Sequence, residues 1–308
     1  MDHIKNEKSI FIAVLFCFAF VVLSASREVY SVSLLQEESL NMEYLIAVCF
    51  IVTTCFANAI LLASKSTTYG TNSLLTIEKK SILPLLILNL TTLVTWWFTF
   101  YSLTILDATS FSSISIGLLP LCTIIINHFL FGFIVSTKVY FFSVLIVIGV
   151  IVTSVNQLLA LKNVDDIDVF LGLATAVLVA CFGAANNIFS FQLNQLGFSA
   201  ASVFANRFWL TLIVVVPYSY LQGFFELSND SNLLKASLLG FMGVSLPIFF
   251  LHYSVKSLGP KSVAYLISTI PVFVFILETI RTNFIFNYNI VGVLVISFSV
   301  YKLLQKKG

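Results

Sequence analysis

Few side chains in this sequence can do chemistry, and they stand out because they interrupt long apolar runs. Glu278 is the one charge in Val263–Ile280. A carboxylate inside a membrane segment can couple solute movement to protons. It can equally pair with Arg281, one turn on near the interface, and that pairing is the expectation here. Arg207 lies beside Asn206, with Trp209 close by, several residues into another apolar run. Facing a cavity, its planar guanidinium would hold a carboxylate or phosphate; the simpler expectation is that it snorkels to the cytoplasmic face. His252 and His128 fall near helix ends on that same face. Either has the chemistry of a proton relay, though a satisfied helix-end histidine is the expectation.

Aromatic and amide side chains form the second group. Trp96, Trp97 and Tyr101 share one apolar segment. Their spacing covers more than one helix face, so at most two can line one wall. An outer interfacial belt and a substrate-stacking wall both account for them. Tyr253 and Tyr265 are comparable candidates further on. Asn186 and Asn187 supply donors and acceptors that suit a neutral or zwitterionic solute, and suit interhelical hydrogen bonds equally.

The elements that must position these groups are membrane helices. Hydrophobic residues make up 59% of the 308 and charged residues 10%, against about 25% charged in a soluble domain. Ile82–Leu106, Ala108–Thr137, Val139–Leu161, Phe208–Phe225, Ala236–Val255 and Thr282–Tyr301 carry no charge at all. About 20 apolar residues suffice to cross a hydrocarbon core. Ten spans are expected, at 9–26, 43–64, 82–106, 109–131, 138–157, 168–191, 199–221, 236–257, 261–280 and 286–304. Lys5, Lys8, the run Ile10–Leu23 and Ser24-Ala25-Ser26 imitate a secretory signal, but are read as a retained first helix.

Charge sets the orientation. With both termini cytoplasmic, twelve of the sixteen basic residues fall inside, leaving Arg27, Lys162, Lys235 and Arg281 outside. The net charge of +2 is spread over helix ends, so nucleic acid is not an expected partner. The five cysteines lie in apolar segments with no metal-ligand spacing, and read as packing residues. There is no Gly-rich phosphate loop and no hydrolase or metalloprotease motif, and neither an enzymatic activity, a cofactor nor a metal is expected. Gly172, Ala176, Ala180 and Ala184 form a small-residue stripe for close helix packing.

An internal repeat organises the whole. Tyr101-Ser-Leu-Thr-Ile-Leu-Asp-Ala108 is echoed by Tyr253-Ser-Val-Lys-Ser-Leu-Gly-Pro260, each followed by a serine-containing helix with a central proline, Pro120 or Pro271. The echo divides the chain into residues 1–157 and 158–308. Five spans in each half is an odd number, so the halves must cross the membrane in opposite senses. Such inverted halves rock about a midplane site in many secondary transporters, and Pro120 and Pro271 are the hinge candidates.

At these residues the chain resembles the drug/metabolite transporter superfamily, in its EamA-like branch. The resemblance rests on Tyr101–Ala108 with Pro120, and on Ser257-Leu-Gly-Pro-Lys-Ser-Val263 with Pro271-Val-Phe273. It departs from the common pattern at Ala108, where relatives carry proline, and at Asn283-Phe284, where many carry Gly-Glu. The resemblance implies an all-α protein of ten transmembrane helices in a bacterial inner membrane, working as a monomer or homodimer. It implies a small-metabolite carrier, for instance of an amino acid or other zwitterion, exporting by alternating access with protons as a candidate coupling ion. A nucleotide-sugar or sugar-phosphate exchanger would need paired cations, for which Arg207 and Lys261 are the candidates. A drug exporter would need Glu278 as its coupling acid. A scaffold or lipid-handling protein would need none of these.

Overall fold

Apolar side chains cover the outside of this molecule, and polar ones are buried within it beside an apolar core. Phe11, Leu15 and Phe18 on one helix, and Phe141 and Val144 on another, are exposed. Ser24, Glu28, Thr92, Asn186, Arg207 and His252 are buried. Water would reverse that distribution; a bilayer produces it, because hydrocarbon solvates the apolar face and protein must satisfy the polar groups. The structure, a computed structural model, describes residues 2–65, 79–132, 137–160, 166–225, 229–259, 263, 266–282 and 289–304. Tyr265, Lys261 and Asn283-Phe284 lie outside the described residues.

Among the described residues there are ten helical rods. α1 runs Asp2–Val32 and continues as a π-helical turn, Ser33–Glu37. α2 is Met42–Lys65 and α3 is Lys79–Ile105. α4 comes in two pieces, Ala108–Ser115 and Leu119–Phe131, and α5 is Thr137–Ala160. α6 is Asp166–Gln195; α7 is again broken, into Ala200–Asn206 and Trp209–Leu221. α8 comprises Asp230–Leu238, a π-helical turn Leu239–Ser245, and Leu246–Leu258. α9 is Ile270–Thr282 and α10 is Asn289–Leu304. Among the described residues, seven helices are long and apolar enough to cross a membrane: those of α1, α2, α3, α4, α6, α7 and α8. The chain is an all-helical, multi-pass membrane protein.

The first helix is longer than expected. A charge pair normally ends a span, which set the expected boundary at 26, but α1 passes through Arg27 and Glu28 without a break. The two neutralise each other at 2.8 Å and are both enclosed by protein, so neither has to leave the bundle. Pro120 and Pro271 sit alike, each the second residue of a helical piece, after Ile116–Leu118 and after Ser268-Thr269. Proline is tolerated there because the first-turn N–H it lacks would have no intrahelical partner.

Close packing follows the small residues. Ala176, Ala180 and Ala184 of α6 are fully buried, and a Cβ on Gly172 would stand 3.2 Å from Ile105 and Leu106 at the end of α3. α5 and α10 meet through two glycines. A Cβ on Gly292 would lie 2.6 Å from the Gly149 carbonyl oxygen and 2.6 Å from Thr153 Cγ2. Backbone cannot yield at that distance. Gly292→Leu is therefore expected to force α5 and α10 apart, costing about 1–3 kcal/mol by overpacking. Thermal unfolding of detergent-purified protein checks it; Gly223→Ala, at an open surface position of positive φ, gives a strain-only comparison.

Candidate functional site: a buried polar and aromatic column

The two helix breaks place the groups that matter. Between Asn206 and Trp209, α7 loses its regular backbone ladder, and in lipid each freed group must find a partner. Asn89 of α3 supplies them. Its Nδ2 donates to the Asn206 carbonyl at 2.8 Å, and its Oδ1 accepts from the Leu210 N–H at 3.3 Å. One side-chain amide thus bridges the break. Arg207, inside that break, is turned into the bundle and is only 5% exposed. The expectation that it snorkels to the surface is corrected: the break points it inward, and α3 holds the break.

Around Arg207 the contacts are few. Its Nε donates to Thr92 Oγ1 at 3.4 Å, and its Nη1 meets His252 Nε2 at 2.9 Å. His252 is therefore no helix-end histidine but a buried partner from α8. Thr92 in turn donates to Asn186 Oδ1 at 3.1 Å, which also accepts from Thr91 at 2.7 Å, while Asn186 Nδ2 donates to Thr95 at 3.2 Å. Asn186 spends its amide on α3, which makes it an α3–α6 tie.

Above this cluster runs a chain of rings. Phe208 stacks beneath the Arg207 guanidinium at 5.4 Å, Phe50 of α2 lies 5.4 Å from Phe208, and Trp96 lies edge-on to Phe50 at 5.3 Å. The guanidinium of Arg27 sits 5.0 Å over the Trp96 ring. An aromatic column thus links two buried arginines. Trp97 faces elsewhere, edge-on to Tyr218 of α7 at 6.1 Å. Tyr253 packs against Phe16 of α1 at 5.0 Å; Tyr101 and Asn187 are half-buried and outside the column.

Glu278 closes the end of the bundle where α3 turns into α4. Its carboxylate accepts from the Ala108 N–H at 3.2 Å, from the Thr109 N–H at 2.9 Å and from the Thr109 hydroxyl. Asp107 takes the next donor, Ser110 N–H, at 2.7 Å. The first turn of α4, with its partial positive charge, is thus capped by two carboxylates. Burial pushes the Asp107 carboxyl above its ordinary range, and the hydrogen bonds from Ser110 act the other way. The expected Glu278–Arg281 pair is loose at 4.0 Å, because Arg281 reaches Glu37 at 2.9 Å instead. Gln36 donates to the Leu103 and Leu106 carbonyls at 2.9 and 3.0 Å, sealing the end of α3. Asn127, the repeat counterpart of Glu278, bonds within its own helix to Thr123.

Arg27, Glu28, Asn89, Thr92, Phe50 and Phe208 went unrecognised in the sequence. Asn89, Thr92 and Trp96 stand at i, i+3 and i+7 of one apolar helix, a polar stripe that marks a single face. Arg27-Glu28 offered no such signal, since adjacent charges at the end of an apolar run read as a helix terminus. Among the described residues no group of three or more His, Cys, Asp or Glu is arranged to hold a metal.

A multi-pass membrane bundle with buried polar and aromatic side chains is the class of protein that the fold defines. Residues 170–304 match the EamA-like transporter family, part of the drug/metabolite transporter superfamily. That match covers less than half of the chain and agrees with the resemblance seen in the sequence; the matched family is one of membrane transporters of the drug/metabolite type and is not an enzyme family. The whole chain also shares its fold with a solved protein crystal structure at a TM-score of 0.64 and 15% identity, over 96% of this chain and 99% of that one. It is one of 28 solved chains that match. No curated protein matches.

The Asn89 bridge is testable apart from transport. Asn89→Leu is expected to leave the Asn206 carbonyl and Leu210 N–H without partners, at about 1–3 kcal/mol for each buried group. Asn89→Gln should recover part of the loss. Thermal melts of the two variants check this, and equal melting of Asn89→Leu and the parent would remove the bridging role.

Proposed function

We propose that this chain is a ten-span secondary carrier of a small metabolite, such as an amino acid or other zwitterion, in a bacterial inner membrane. Its halves, 1–157 and 158–308, alternate access to a central site, with both termini cytoplasmic and export as the direction. The solute would occupy the polar and aromatic column, with Trp96, Arg207, His252 and Asn186 nearest to it and Trp97, Tyr101, Asn187 and Tyr253 more distant. Pro120 and Pro271, at matching breaks, would be the hinges.

The observation that carries this reading is the Glu278 cap. A carboxylate of the second half holds the open N-terminus of a first-half helix, so the two halves are fastened at one end of the bundle by a group that can gain a proton. Protonation would remove the charge that complements the helix terminus and loosen that end. Fastening at one end and release by a proton is what alternating access coupled to protons requires.

The experiment is counterflow and pH-driven uptake of radiolabelled amino acids in proteoliposomes. Saturable exchange is expected for at least one solute, accelerated by an imposed pH gradient. Glu278→Gln should abolish the acceleration while leaving exchange measurable. Unchanged pH dependence in that variant would remove Glu278 from coupling. Absence of exchange for every solute, in protein that melts cooperatively, would favour a scaffold or lipid-handling role.

A further inference from the structure

We infer that Arg207 is the docking point for an anionic group, a carboxylate or a phosphate, on the transported solute; the inference rests on the carrier reading above.

Two arginines are enclosed in the bundle, and they are treated differently. Arg27 has Glu28 at 2.8 Å. Arg207 has no carboxylate within 4.0 Å among the described residues. A buried ion is strongly destabilising unless it is paired, and the net stability of a folded chain is too small to carry such a cation without a use. The missing counter-ion is an anion that the described residues do not supply.

Hydrogen bonding makes the same point independently. A guanidinium offers five N–H donors and no acceptor. Among the described residues, Arg207 uses one on Thr92, through Nε, and one on His252, through Nη1. Receiving from Arg207, His252 Nε2 must be the accepting nitrogen, which leaves the ring proton on Nδ1. That Nδ1 is buried and without a partner among the described residues. The cluster therefore holds unused donors from two side chains. A group made only of acceptors, an oxyanion, is the chemical complement.

The surroundings narrow the rest of the solute. Phe208 lies 5.4 Å from the guanidinium, Phe204 lies 6.0 Å from the His252 ring, and Phe50 and Trp96 continue the wall. Phe50, Phe204 and Phe208 are fully buried, so an apolar or aromatic body would reach these rings only as the bundle opens, with the anion then engaging Arg207. Thr92, fixed by its bond to Asn186, and Asn89, fixing the helix break, act as positioning residues for the arginine.

The test uses probes that share a body and differ in charge: 3-phenylpropionate, L-phenylalanine and phenyl phosphate against 3-phenylpropanol and 2-phenylethylamine. Each is assayed as a thermal stabiliser of the detergent-purified chain and as a counterflow solute in proteoliposomes. The acids should stabilise the parent protein in a dose-dependent way and the alcohol and amine should not. Preference between the carboxylates and phenyl phosphate then assigns the anion. Arg207→Gln should weaken the acids at least tenfold; Arg207→Lys, which keeps the charge if the neutral variant fails to fold, should weaken them less but lose any preference for a forked anion. Acids that fail to bind, or that bind no better than the alcohol and amine, overturn the anion site. Exchange of the alcohol or amine in that case leaves the carrier reading standing, whereas no exchange of any probe or amino acid sinks both.

Discussion

A backbone inside a bilayer has no water to fall back on, so every interruption of a helix must be repaired by another part of the chain. The interior of this protein is organised by those repairs. Asn89 spans the break in α7, Glu278 and Asp107 cap the first turn of α4, and Gln36 takes up carbonyls at the end of α3. Each repair is made by a side chain from a different element, apart from Asp107. Helix breaks and interhelical contacts are consequently one and the same feature, and a movement of one helix against another exposes unpaired backbone.

The same repairs decide where charge can be buried. Because Asn89 holds the α7 break open, Arg207 can leave the helix cylinder and enter the bundle, where it meets α3 through Thr92 and α8 through His252. Arg27 is admitted for a different reason: Glu28 travels with it, and Trp96 offers a ring face. The rings between the two arginines exclude water and keep the local dielectric low, which strengthens any charge contact made there. At the end closed by Glu278, by contrast, Arg281–Glu37 and Lys235–Glu38 are partly exposed pairs that contribute little by themselves.

Sequence reasoning went astray where a local rule was overridden by a partner far along the chain. Arg27-Glu28 looked like the end of a span, yet the pair carried its own neutralisation and the helix went on. Glu278 does meet Arg281 three residues away, as expected, but only at 4.0 Å; the open N-terminus of α4, 170 residues earlier in the chain, offered backbone donors at closer range. Arg207 was expected to reach for the surface, which is the right expectation for an arginine on an unbroken helix. The stripe Gly172, Ala176, Ala180 and Ala184 was read correctly because close packing needs only small residues at helical spacing, and no distant partner has to be known.

Apolar runs of the right length, basic residues at their ends, two echoed turn-and-proline blocks and a small-residue stripe were all present in the linear chain. From them came the membrane, the all-helical bundle and the resemblance to the drug/metabolite transporters, since bilayer thickness and helix rise act on composition alone. Which polar residues would be spent on holding helices together and which would be left with unused donors depended on contacts between residues 45 to 170 positions apart. Asn186 and Arg207 are equally polar in the sequence. Only the packing of α3 against α6 and α7, and of α8 against α7, made one a structural tie and left the other a buried cation without an acid beside it among the described residues.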